Sequence, residues 1–193
     1  ASSATMAFTG SITAAGNAVK TVGKETIYVP AAAMYPTTTN GCAALTQVEL
    51  SSGQPELKCL DFDPSSDENA QFTVSFPKSM KFDTDITFRA FFTVSGTDSG
   101  TVSWALSGVA AEDDDAIGAS FGTAVAPTAK AHSGVSGDID VTAESGGVTI
   151  AGRADDSMVF FNILRDVSAD SQTGDARLLG IQIFFTTDLA NDT

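Results

Sequence analysis

Short apolar runs with a period of two, each closed by Pro, Gly or Asp, constrain this chain more than any other feature. Phe72, Val74 and Phe76 alternate with Thr73 and Ser75, and Pro77 ends the run. Successive side chains of a strand point to opposite faces, so this pattern predicts a half-buried antiparallel strand with the three apolar residues inward. Val22, Lys24, Thr26 and Tyr28 alternate with Gly23, Glu25, Ile27 and Val29 before Pro30. Leu57, Cys59 and Leu60 begin a strand that stops at Asp63-Pro64. Residues 86–94 form the next run, and the Gly96–Gly100 stretch makes a hairpin loop. Val102, Trp104 and Leu106 share one face, which puts Trp104 in the core. Val148-Thr149-Ile150 is short and strong, whereas 117–125 and 137–142 are weaker. Met158 to Leu164 is almost wholly apolar and reads as a central strand buried on both faces. In the final run, Arg177 to Thr187, the residues Leu179, Ile181, Ile183 and Phe185 are taken in one phase. No segment carries the i, i+3, i+4 stripe that an amphipathic helix needs over ~11 residues. Eight to ten strands at turn-spaced intervals predict an all-β fold: a two-sheet antiparallel sandwich, jelly-roll-like.

The size and charge of the chain narrow its function class. Its 193 residues fit one domain, read as residues 19–193. Ten Lys and Arg face 24 Asp and Glu, a net charge of −14. Binding nucleic acid or an anionic membrane takes clustered cations, so neither is expected as a partner. No apolar run approaches the ~18 residues of a membrane span. The first 20 residues show no basic region followed by an apolar one, so synthesis in the cytoplasm without a secretory signal is expected.

Residues 1–18 carry no charged side chain, and Met6, Phe8 and Ile12 are their only large apolar groups. Such a stretch cannot build a core alone. It is expected to be an extended N-terminal arm, with Met6, Phe8 and Ile12 as anchors on a neighbouring subunit, which implies a homo-oligomer and a trimer first of all.

The residues capable of chemistry give weak signals. His132 is the only histidine and lies in a Gly/Ser loop, where a solvated side chain is expected. Gly118-Ala119-Ser120-Phe121-Gly122 matches a nucleophile elbow, but Thr123–Pro127 reads as strand rather than the helix an elbow requires. Residues 121–131 also lack the acid that the hydrolase order places between Ser and His. A glycosidase pair could be drawn by chance from 24 acids, so the carboxylates point to no enzyme. Asp61, Asp63 and Asp67 alternate like calcium ligands, yet Ser66 and Phe72 stand where the calcium loop needs Gly and Glu. Asp166, Asp170 and Asp175 form a second oxygen-rich loop. Cys59 packs as a small hydrophobe, and a Cys42–Cys59 bridge stays open. No catalytic residue, cofactor or metal is assigned. Tyr28 and Tyr35 flank Pro30 and Pro36, where surface exposure is open to them, thin support for carbohydrate binding.

Several stretches carry a family resemblance: Val29-Pro30-Ala31-Ala32-Ala33-Met34-Tyr35-Pro36-Thr37-Thr38-Thr39-Asn40-Gly41, Leu60-Asp61-Phe62-Asp63, Ala70-Gln71-Phe72, Phe76-Pro77-Lys78-Ser79, Val148-Thr149-Ile150-Ala151-Gly152 and Asp175 to Thr187. Over roughly residues 24–193 the chain resembles small structural proteins of marine tailed bacteriophages and prophages. That family usually has Trp after the Pro-Lys-Ser motif, whereas Met80 stands here. The resemblance implies a non-enzymatic virion protein. Its first expected role is capsid decoration as a cement protein, with the major capsid protein or another virion protein as partner. The alternative is a glycan- or receptor-binding domain of a tail fibre or spike.

Overall fold

A computed structural model describes residues 23–154 and 156–188, so residues 1–18, with Met6, Phe8 and Ile12, lie outside the described residues. Thirteen strands are seen among the described residues: β1 (Gly23–Pro30), β2 (Tyr35–Pro36), β3 (Thr46–Val48), β4 (Leu57–Phe62), β5 (Glu68–Ser75), β6 (Thr87–Val94), β7 (Thr101–Val102), β8 (Trp104–Ala111), β9 (Lys130–Ala131), β10 (Asp140–Val141), β11 (Ile150–Ala151), β12 (Met158–Arg165) and β13 (Ala176–Thr187). Five of these are two-residue pairings, which leaves eight longer strands, as the alternation predicted. Among the described residues the only helical elements are 3-10 turns at Ala31–Ala33 and Val167–Ala169.

The strands form two principal sheets. The first has the order β10-β6-β13-β4-β3, with β1 also paired to β13, and the second has the order β11-β8-β12-β5-β2. The chain passes from β4 to β5 to β6 to β8, changing sheet at each step, and β12 and β13 then fill the centre of each sheet. This alternation is the winding of a jelly roll. Apart from the short β11–β8 pair, which is parallel, the pairings within these sheets are antiparallel.

The space between the sheets is filled by aromatic rings, which accounts for the Phe-rich composition. Phe62 meets Trp104 edge-on at 4.9 Å, Phe72 stacks on Phe161 at 5.1 Å, and Phe76 meets Phe185 at 5.4 Å. Phe72 and Phe76 are buried while Thr73 and Ser75 are exposed, so the predicted phase of β5 holds. Trp104 and Met80 are fully buried.

One charge is enclosed with this core. The Arg165 side chain is 0% exposed. Its Nε donates to Asp170 Oδ2 at 2.8 Å and Nη2 to Oδ1 at 3.1 Å. Nη1 donates to the carbonyls of Phe62 and Gly174, and Nη2 to that of Gln172. A buried guanidinium is tolerated only when paired and fully hydrogen-bonded. Here it ties the end of β12 to β4 and to the loop before β13.

The Gly96–Gly100 stretch is a crossover between the sheets rather than a hairpin loop, because β6 pairs with β10 and β13 while β8 pairs with β11 and β12. Three other sequence expectations need correction. In β13 the core residue is Leu178 rather than Leu179, because the register to β6 shifts between Leu178 and Gly180. This bulge inserts one residue and turns Leu179 outward. Residues 117–125 form no strand, and only Val125 bridges to Leu106. The third correction concerns β12. It is central in its sheet, but its outer face is only half-covered: Met158 is exposed, and Phe160, Asn162 and Leu164 are part-exposed.

Candidate functional site

The outer face of the second sheet is the surface that β12 leaves open. Its rows follow from register. Tyr35 on β2 stands beside Gln71 on β5, Gln71 beside Asn162 on β12, and Asn162 beside Ser107 on β8. The next row is Thr73, Phe160 and Val109. In-register neighbours stand about 4.5–5.5 Å apart at Cβ, so these side chains share one face, with Ser107 and Val109 buried at its β8 end. Phe161, Ile163 and Phe72 occupy the opposite phase and point into the core.

The segment after β8 raises a wall along this surface. Glu112 to Asp115 makes a turn in which Glu112 N donates to Asp115 Oδ2 at 2.9 Å, and Asp115 N donates to the Glu112 carbonyl at 3.2 Å. Asp114 takes φ 65°, a conformation Asp tolerates better than most residues. The segment then runs back beside β8, where Gly122 N donates to the Gly108 carbonyl at 3.3 Å and Leu106 and Val125 exchange a pair of backbone bonds. Between wall and sheet lies a cavity of about 470 Å³. Phe160, Gln71 and Val109 form its floor, and residues 115–121 form its side. Ile117 stands on this rim with 79% exposure.

The floor offers an apolar ring beside amides. Asn162 Nδ2 donates to Asn69 Oδ1 at 2.8 Å, which orients both side chains. The Gln71 amide makes no hydrogen bond to another described residue. Tyr35 is exposed at the edge of this face.

The sequence-level candidates fall elsewhere or do not assemble. Ser120 lines the cavity, but an irregular segment follows it, not a helix. His132 is not solvated. Its side chain is 0% exposed, and Nδ1 lies 2.6 Å from Asp140 Oδ2. Lys130 approaches the other oxygen of that carboxylate at 3.3 Å. Asp140 belongs to β10 of the first sheet, so His132 serves a structural pair there. The loop acids are dispersed: Asp61 pairs with Arg177, Asp63 accepts from Ser65 N, Asp67 from Val167 N, Asp166 from Ser168 N, and Asp170 holds Arg165. No group of three or more potential metal ligands comes together among the described residues. Cys42 and Cys59 are free and buried. Burial, with the neighbouring Glu68 carboxylate adding to it, pushes the Cys42 thiol up to about 12. Tyr28 and Tyr35 are exposed, on opposite sheets.

No family model matches the chain, and no curated protein matches it. The chain is similar to several solved structures. They include a xylan-binding module, CBM15, at 12% identity and TM-score 0.44, covering 89% of this chain and 100% of that one. A carbohydrate-binding module specific for non-crystalline cellulose, CBM28, matches at 10% identity and TM-score 0.38, covering 83% and 87%. A module described for specific mannan recognition matches at 10% identity and TM-score 0.38, covering 87% and 99%.

Proposed function

We propose that the protein is a non-catalytic glycan-binding module that holds a neutral sugar chain on the outer face of its second sheet. The observation that carries this reading is the walled cavity whose floor sets the Phe160 ring beside the free Gln71 amide. A pyranose has one face of C–H groups and a rim of hydroxyls. An aromatic floor covers the first and an amide pairs with the second. The Asn69–Asn162 bond fixes the adjoining amides in advance, which lowers the entropy lost on binding. Asp115 is the one carboxylate in the lining, and its Oδ2 already accepts from Glu112 N. Hydrolysis of a glycosidic bond by the usual route takes two carboxylates, so the cavity is suited to binding. Glu112, Asp113 and Asp114 beside the wall disfavour an anionic chain at this face.

A capsid cement protein needs no such cavity, so we favour the receptor-binding role over capsid decoration. In the setting that the sequence resemblance implies, the module would be a receptor-binding domain of a tail fibre or spike. The test is calorimetric titration with neutral hexasaccharides of gluco, xylo, manno and galacto configuration. At least one should bind, and Phe160→Ala should weaken it by at least about tenfold with the fold intact. No binding to any of them, or equal binding by the variant, would refute the proposal.

A further inference from the structure

The outer face of the first sheet carries a second arrangement of different chemistry. Register places Tyr28 on β1 beside Gln182 on β13, and Gln182 beside Arg89 on β6. A phenol, an amide and a guanidinium thus form a row about 10 Å long. One row over, the Phe184 ring lies 5.5 Å from the Arg89 guanidinium and 4.7 Å from Lys24 Nζ. Tyr28 is held in place. Its ring meets Phe91 edge-on at 5.9 Å, and its hydroxyl donates to the Leu179 carbonyl at 3.3 Å. Gly180 makes the room for this. A Cβ there would lie 2.5 Å from the Tyr28 hydroxyl and 2.7 Å from the Val29 carbonyl.

Arg89 is the cation of this row, and the Glu144 carboxylate acts on it without contact. Arg89 makes no ion pair or hydrogen bond with any described residue, and its Nε is buried without an acceptor. Lys24 differs, being bound to Glu144, which also accepts from Thr87. Those two bonds hold the Glu144 carboxyl below its usual range, with the Arg89 charge a smaller contribution. Lys24 therefore offsets Glu144, and the two Nη groups of Arg89, unlike its buried Nε, stay available. A planar guanidinium beside aromatic rings fits a carboxylate better than any neutral group, because its fork matches two carboxylate oxygens.

We propose that this face is a second sugar site, specific for a uronic acid residue. The carboxylate takes the two Nη groups of Arg89, and ring hydroxyls meet the Gln182 amide and the Tyr28 oxygen. The protein's acidity does not forbid this. At physiological ionic strength charges beyond ~8 Å are largely screened, so the local cation decides. The site stands on residues separate from the Phe160 cavity and does not depend on it.

The experiment is calorimetric titration of the full chain with trigalacturonate and with its neutral methyl ester at physiological ionic strength. Trigalacturonate should bind and the ester bind at least tenfold more weakly. Arg89→Gln should lose about tenfold in affinity for the acid, Arg89→Lys should fall between, and Phe160→Ala should change nothing. If Arg89→Gln does not fold, amide shifts of the unmodified protein replace it, and shifts at residues 28, 89 and 182 are expected. Equal binding of acid and ester, loss of acid binding in Phe160→Ala, no shifts at those residues, or displacement by a triglutamate peptide of equal affinity would each overturn the proposal.

Discussion

Replacing Asp170 by Asn tests the most consequential polar contact of the fold. The substitution keeps shape and removes one charge, leaving Arg165 as an uncompensated cation with 0% exposure. Breaking a buried pair from one side costs about 3–5 kcal/mol. Two features place this case at the lower end. Three backbone carbonyls, those of Phe62, Gly174 and Gln172, still accept from the guanidinium. An Asn side-chain oxygen can also still accept from Gln172 N, which now donates to Asp170 Oδ1 at 2.7 Å. The expected loss is therefore about 3 kcal/mol, which for a chain of this length lowers Tm by about 6–12 °C. Urea unfolding followed by tryptophan fluorescence reads it well, since Trp104 is buried and in register with Arg165. The control is Asp83→Asn, which breaks the exposed Lys81–Asp83 pair and should cost less than about 0.5 kcal/mol. A loss below about 1 kcal/mol for Asp170→Asn would refute the claim that this carboxylate compensates the buried Arg165 charge.

Two further outcomes follow from the core. Phe76→Ala removes a ring packed on Phe161 and Phe185 and should cost about 3–5 kcal/mol, while Thr73→Ala should change stability by less than about 0.5 kcal/mol in the same urea assay. Both buried thiols have their pKa raised by desolvation, Cys42 to about 12. A raised folded pKa gives stability that is complete below the unfolded value, near 9, and is lost as pH climbs towards 12. Thermal melts of a Cys42→Ala/Cys59→Ala variant should therefore fall less steeply than those of the parent across that window, and parallel curves would contradict the assignment.

The sandwich was legible because each long strand announces its own phase. Phe72, Val74 and Phe76 alternate with polar residues, and Pro30, Pro64 and Pro77 mark the ends of runs. The phase of β13 was misread because a bulge between Leu178 and Gly180 puts Leu178 inward and Leu179 outward, and both positions are leucine. His132 looked solvated because its loop is rich in Gly and Ser; its partner, Asp140, lies eight residues on and is buried with it. The cavity floor was missed for a related reason. Phe160 lies in an apolar run, which reads as burial on both faces, so an aromatic residue on an open face gives no separate signal. The amides Asn69, Gln71 and Asn162 are distant in sequence, and only the β5–β12 register brings them together. Within the wall of residues 112–121, the part from residue 117 onward looked like a weak strand.

The central claim is that a neutral sugar chain lies on the outer face of the second sheet. Amide chemical-shift mapping of the isotope-labelled chain, titrated with the tightest-binding neutral hexasaccharide, tests it most directly. The account predicts shifts clustered at Gln71, Phe160, Asn162 and residues 117–121, with the Val167–Ala169 turn and the His132–Asp140 pair unmoved. Shifts confined to those latter residues, or no shift at Phe160 and Gln71 at saturating ligand, would contradict it.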